Sequence, residues 1–144
     1  MVAEKGPIYM RTGRAPFPLL TKETDLFEIG QANLMRAGKD VTIMACGIMI
    51  FEALQAAEIL KKEGIEAKVV NMHTIKPIDE EMIVRSAQET GAIVSAEEHQ
   101  INGGLGSAIA EVLVRKYPVP MEMIAVRDTF GESGTPQELL KAYH

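Results

Sequence analysis

Hydrophobic positions in this chain fall into short, largely apolar runs separated by stretches in which apolar residues recur every three to four places. The runs are Val41–Cys46, Ala67–Met72, Ala92–Ala96 and Met123–Val126. Their length and bounding glycines and prolines fit strands inside a sheet. A loosely alternating stretch, Phe27–Met35, predicts an edge strand weakened by Gly30. Between the runs, Ile48–Glu63 reads as a helix with Glu52, Gln55 and Lys62 on its polar stripe and Gly64 as its terminator. Asp79 caps a second helix that runs to about Thr90, with Glu80 and Glu81 in the first turn, where the dipole favours acids. Leu105–Tyr117 forms a third, stopped by Pro118 and Pro120, and Thr135–Tyr143 a fourth with Pro136 at its first position. Strand and helix alternate through short connections. The predicted fold is therefore α/β, a mostly parallel sheet with helices on both faces.

Residues 1–24 break this pattern. Pro7, Pro16 and Pro18, with Gly6 and Gly13, prevent a helix and give an extended linker. A linker at the start implies something before it, so the chain reads as a piece of something larger. Composition narrows the class further. The chain has 144 residues, 47% of them hydrophobic, enough for one domain with an ordinary core. A net charge of −5 without a basic patch disfavours a nucleic-acid partner. No run approaches the about 20 apolar residues of a membrane span, and no signal-peptide core is present. The lone Cys46 excludes a disulfide framework, is consistent with a reducing cytoplasm, and in its apolar run reads as a buried, inert thiol.

Candidate chemistry gathers at Ser95–Val114, where a strand, a glycine turn (Asn102, Gly103, Gly104, Gly106) and a helix start follow one another. Such turns often bind anions, because the first amides of a helix lack an intrahelical acceptor. Here the dinucleotide fingerprint fails. If Gly104 and Gly106 are its first two glycines, Ile109 occupies the third place, and no Gly-Lys-Ser/Thr follows. The acidic lead-in, Glu97 and Glu98, would repel a phosphate, so the turn reads as a tight strand–helix connection. Side-chain alternation puts Glu97 and His99 on one face and Glu98 on the other, a pair suited to acid–base work or to an interface. A metal is not expected, because His73 and His144 offer no local spacing to complete a site. Asp128 and Glu132 lie past a strand's C-terminal end, the edge where open α/β sheets place ligands, or form a plain solvated turn. Arg11 and Arg14, on a stiffened segment, suit a phosphate or carboxylate, with a merely solvated role as the alternative.

Five blocks then occur in order: GPIYMRTGRAP, DVTIMACG, VVNMHTIKPID, EEHQINGGLGSAIAEVL and RDTFGESGTPQELL. Together they resemble the C-terminal domain of transketolase-type thiamine diphosphate enzymes, most closely the C-terminal half of a split transketolase. The same domain occurs in deoxyxylulose-phosphate synthase and in the β subunits of 2-oxo acid dehydrogenases. The resemblance implies a three-layer α/β/α domain whose five-stranded mixed sheet has its first strand antiparallel. It implies residues 1–24 as the tail of a pyrimidine-binding domain plus linker, and residues 25–144 as the C-terminal domain, short of a terminal helix. It also implies two-carbon ketol transfer between sugar phosphates, with thiamine diphosphate and Mg²⁺ bound by domains absent from this chain. On that view the chain holds no catalytic residue and is inactive alone. Arg11 matches the family arginine that contacts the substrate phosphate, while Glu98, His99, Asn102 and Asp128 form an interface or site edge. The implied partners are the N-terminal half of the same enzyme and further copies of the chain. A non-catalytic regulatory or interaction module is the reading from another class.

Overall fold

The computed structural model describes residues 5–13 and 16–143, so Arg14 and His144 lie outside the described residues. In chain order the elements are β1 (Asn33–Arg36), β2 (Val41–Ala45), α1 (Met49–Lys62), β3 (Ala67–Asn71), α2 (Glu80–Thr90), β4 (Ile93–Gln100), α3 (Leu105–Lys116), β5 (Met121–Val126) and α4 (Pro136–Tyr143). The five strands form one sheet in the order β1-β3-β2-β4-β5. β1 runs antiparallel to β3, and the pairs β2–β3, β2–β4 and β4–β5 are parallel.

Alternation along the central strand sorts the core into two layers. Ile43 and Ala45 of β2 pack with Ile50, Ala53 and Ala57 of α1, together with Val69 and Ala96. Met44, one step out of phase, joins Met82, Ile83 and Ala87 of α2 and Leu105, Ile109 and Leu113 of α3. This is the period of two along a strand read directly as layers. The side chains of Met44, Ile83, Leu105 and Ile109 are fully buried, each stabilising by about 1.5–3 kcal/mol relative to exposure. β3 carries a buried lysine, Lys68, which donates to Ser86 Oγ at 3.4 Å and to the Glu89 carboxylate on α2. That ammonium draws the Glu89 carboxyl below the ordinary carboxylate range.

The helix ends follow local chemistry. Asp79 Oδ1 accepts from the Met82 amide at 2.8 Å and so caps α2, while its Oδ2 accepts from the Ala32 amide at 2.7 Å and ties the approach to β1. Past α1, the Ile65 amide donates to the Leu60 carbonyl and the Gly64 amide to the Lys61 carbonyl, with Gly64 at φ +83. This is the glycine-terminated Schellman arrangement.

Two strands depart from their predicted bounds by more than two residues. The edge strand begins at Asn33 and not at Phe27, because the chain turns through Gly30 at φ +87 with the Gln31 amide bonded to the Glu28 carbonyl. β4 continues past Ala96 to Gln100. Its extension pairs with β5 alone, through a bulge: Ala96 faces Ile124, but Gln100 faces Val126.

Candidate functional site

The strand order reverses beside β2. The crossover through α1 carries the chain to β3 on one side, and the crossover through α2 returns it to β4 on the other. The C-terminal ends of β2 and β4 therefore flank a switch point, the crevice where open α/β sheets place ligands. Cys46–Ile48 and Ile101–Gly104 line that edge.

Glu97 is the organising residue of the edge, and it does not share a face with His99. Its side chain points inward to α3, on the face of β4 that Ile93 and Ser95 also occupy, and is only 3% exposed. Its Oε2 accepts from the Leu105 amide at 2.7 Å and its Oε1 from the Gly106 amide at 2.8 Å. Both donors belong to the first turn of α3, where amides have no helical acceptor and the dipole favours negative charge. The glycine turn thus does hold an anion, and the anion is the chain's own carboxylate. A Cβ at Gly104 would run into that carboxylate, and one at Gly106 would meet Ser95 Oγ at 2.7 Å. These two glycines make room for the carboxylate beneath the turn and for the close pass of β4.

His99 is parted from Glu97 by the bulge in β4. It is exposed, with Nδ1 donating to the Gln100 carbonyl at 2.7 Å. The Glu97–His99 acid–base pair is therefore not formed. Glu98 and His99 both face outward, because two extra residues in the bulge break strict alternation. Asn102 is exposed in the turn beside Gly103, whose amide donates to Ser107 Oγ at 2.9 Å. Asp128 is also exposed and sits at φ 51, a left-handed position that Asp tolerates in turns. Its loop is tied to β4 by Gln100 Nε2, which donates to the Thr129 carbonyl at 2.7 Å.

Arg11 reaches this edge from far away in sequence. Its Nη1 donates to the Glu98 carbonyl at 3.3 Å, and the rest of its exposed guanidinium fork is open to solvent among the described residues. Cys46 lies close enough to feel these charges. Burial first, and then the Glu97 carboxylate, push its thiol up to about 11, against a smaller opposing pull from Arg11. A thiol held so high stays protonated and is a poor nucleophile.

The edge does not fit a bound diphosphate or metal. The first amides of α3 are already committed to Glu97. Among the described residues, no group of three His, Cys, Asp or Glu stands close enough to hold a metal ion. No helix of the described residues is long and apolar enough to cross a membrane. The role of Glu97 was hidden in the sequence, because it precedes the helix by eight positions and no local capping pattern spans that distance.

Comparison with known proteins identifies the company this chain keeps. Residues 30–144 match the family described as "Transketolase, C-terminal domain". A 6-deoxy-6-sulfo-D-fructose transketolase subunit from a Clostridium species is 48% identical over all of this chain and 48% of its own length. A putative transketolase C-terminal section from Methanocaldococcus jannaschii is 44% identical over 96% of this chain and 44% of its own length. Among solved structures, a split-gene transketolase described as an inactive β4 tetramer superposes with a TM-score of 0.87 and 52% identity, covering 90% of this chain and 43% of that one. A Campylobacter jejuni transketolase, 19% identical with a TM-score of 0.59 over 86% of this chain and 18% of that one, shares the fold. The chain spans about half the length of the curated relatives it matches first.

Proposed function

The chain belongs to the family of transketolase C-terminal domains, and from that premise we propose that it is the C-terminal section of a transketolase assembled from separate chains. The whole enzyme moves a two-carbon ketol unit between anionic sugars in the cytoplasm. Thiamine diphosphate and Mg²⁺ supply the carbanion chemistry and are held by an N-terminal section, with which this chain and further copies of it assemble. Residues 1–24 are the end of the preceding pyrimidine-binding domain and its linker, and residues 25–144 are the C-terminal domain. The observation that carries the reading is the match of residues 30–144 to that family, supported by the 0.87 superposition on a split-gene transketolase.

Within that enzyme the described residues bind and orient. Arg11 offers a charged planar fork to the substrate's terminal anion, which is the chemistry for which arginine is suited. Glu98, His99, Asn102 and Asp128 present polar groups to the neighbouring section at the C-terminal edge of the sheet. The relatives' named substrates include a sulfo-sugar and, in a Phocaeicola vulgatus subunit, apulose 4-phosphate. Phosphate and sulfonate share the oxyanion that Arg11 recognises, so the substrate is an anionic sugar of one of these kinds.

The test is reconstitution. This chain with thiamine diphosphate, Mg²⁺, xylulose 5-phosphate and ribose 5-phosphate is expected to give no turnover alone. Activity is expected once the N-terminal section is added, and 6-deoxy-6-sulfo-D-fructose replaces the donor in a parallel arm. Turnover by the pure chain would overturn the reading. Arg11→Ala in the active assembly is expected to raise KM for the anionic sugar by about 10- to 100-fold, the equivalent of a charged hydrogen bond of about 1.5–3 kcal/mol. An unchanged KM removes Arg11 from the site. A second reading has its own support, since a 1-deoxy-D-xylulose-5-phosphate synthase from Trichormus variabilis is 42% identical over 92% of this chain. Pyruvate as the required donor in the reconstituted assembly would establish it.

A further inference from the structure

A guanidinium on an extended segment is a poor clamp unless something holds it, because ordering a free arginine side chain costs rotamer entropy. The segment around Arg11 has no helix or strand. Among the described residues its side-chain anchor is one backbone carbonyl, that of Glu98. That carbonyl belongs to the bulged end of β4, where pairing with β2 has already stopped at Ala96 and only β5 continues alongside. Such a strand end would be free to shift its carbonyls by a residue's twist. Its far end is held to β5, by the pairing of Gln100 with Val126 and by the Ile101 amide on the Val126 carbonyl; next to Glu98 it is held by Glu97, whose two carboxylate oxygens take the Leu105 and Gly106 amides of α3.

We infer that Glu97 is a positioning residue for Arg11: its buried carboxylate locks the bulge of β4 onto the N-terminus of α3, and the Glu98 carbonyl thereby fixed sets the guanidinium. The inference rests on the reading of Arg11 as the group that meets the substrate's anion. It adds a residue that touches neither substrate nor cofactor. The chain of contacts is short and directional. Glu97 is held by main-chain amides that cannot move without unwinding α3, and the Glu98 carbonyl is one peptide away. Only the last link, to Arg11, is solvent-exposed and easily broken.

Glu97→Gln preserves the shape and opposes one amide donor with another, so it loosens the lock with little change in volume. In the full chain labelled with ¹⁵N, the Leu105 and Gly106 amide resonances are expected to shift. The Arg11 guanidinium resonances, assigned by their loss in Arg11→Ala, are expected to move with them. In the assembled enzyme, Glu97→Gln is expected to raise KM for the anionic sugar about tenfold with kcat within about twofold, and to add nothing when Arg11 is already Ala. Glu97→Asp, which keeps the charge and shortens the reach, moves the same readouts in the same direction and serves where the Gln variant does not fold. The inference is overturned if Leu105 and Gly106 shift while Arg11 does not, for then Glu97 is a helix cap only. It is overturned equally if the Gln variant raises KM as much in the Arg11→Ala background as in the wild type. An assembly that shows no activity at all counts against the proposed function, and the resonances of the chain alone still decide the role of Glu97.

Discussion

Single residues at the sheet's C-terminal edge show how placement decides chemistry. His73, at the end of β3, stacks on Phe27 with ring centroids 4.3 Å apart, and both its nitrogens lie buried without a partner among the described residues. Burial holds its pKa below the usual 6.5, against a smaller opposing pull from Asp79. The folded state therefore takes up this proton later than the unfolded chain does. As pH falls through 6.5 the unfolded state protonates first, so stability declines with falling pH until the lowered folded pKa is reached. His73→Phe keeps an aromatic ring against Phe27 and removes the titration. Denaturant midpoints at about pH 7.5 and about pH 5.5 are expected to differ less in this variant than in the wild type. Equal differences would show that the imidazole takes up its proton alike in the folded and unfolded states, so that burial does not lower its pKa. The lowered carboxyls of Glu80, Glu89 and Glu138 act at more acid pH, below this window.

At the scale of elements, helix ends join parts that the sequence keeps apart. Asp79 serves two of them, with one oxygen on the Met82 amide of α2 and the other on the Ala32 amide that leads into β1. Removing it leaves a cap unfilled and a part-buried amide without its acceptor. Asp79→Ala is expected to cost about 1–2 kcal/mol in equilibrium denaturation, with Asp79→Asn losing less because an amide oxygen can still accept. A loss below about 0.5 kcal/mol would mean that water replaces both bonds. The cap on α2 was legible, since Asp precedes a helix with two glutamates in its first turn. The corresponding anchor of α3 was not. Glu97 lies on the strand before the glycine turn, eight positions from the Leu105 amide it accepts, and no capping pattern of three or four residues spans that distance.

For the whole molecule the question is what covers its apolar surface. Tyr9 is 88%, Leu19 96% and Phe130 98% exposed in the chain by itself. Large apolar side chains left this open stabilise an assembly when a neighbour buries them, and aromatic ones near a charged anchor often dominate such contacts. Adding the N-terminal section is expected to raise the melting temperature of this chain. The double substitution Tyr9→Ser and Leu19→Ser is expected to weaken that association by about tenfold or more in Kd while leaving the melting temperature of the isolated chain within about 2 °C. Unchanged affinity would place the contact on another face.

The order of strands and helices, the two-sided sheet and the terminating roles of Gly64 and the prolines could be read from the sequence, because periodicity and capping are local properties of neighbouring residues. Family blocks, also local, pointed to the antiparallel first strand and to the domain's relatives. The destination of the Glu97 carboxylate, the outward turn of both Glu98 and His99, and the meeting of Arg11 with the end of β4 were decided only by tertiary structure. Arg11 and Glu98 are 87 positions apart, and the outward turn of both Glu98 and His99 accompanies a register break between β4 and β5 that β2 does not share. The glycine turn has the form of an anion site in sequence and in space. What the fold added is the anion, drawn from the acidic lead-in that, by sequence alone, argued against one.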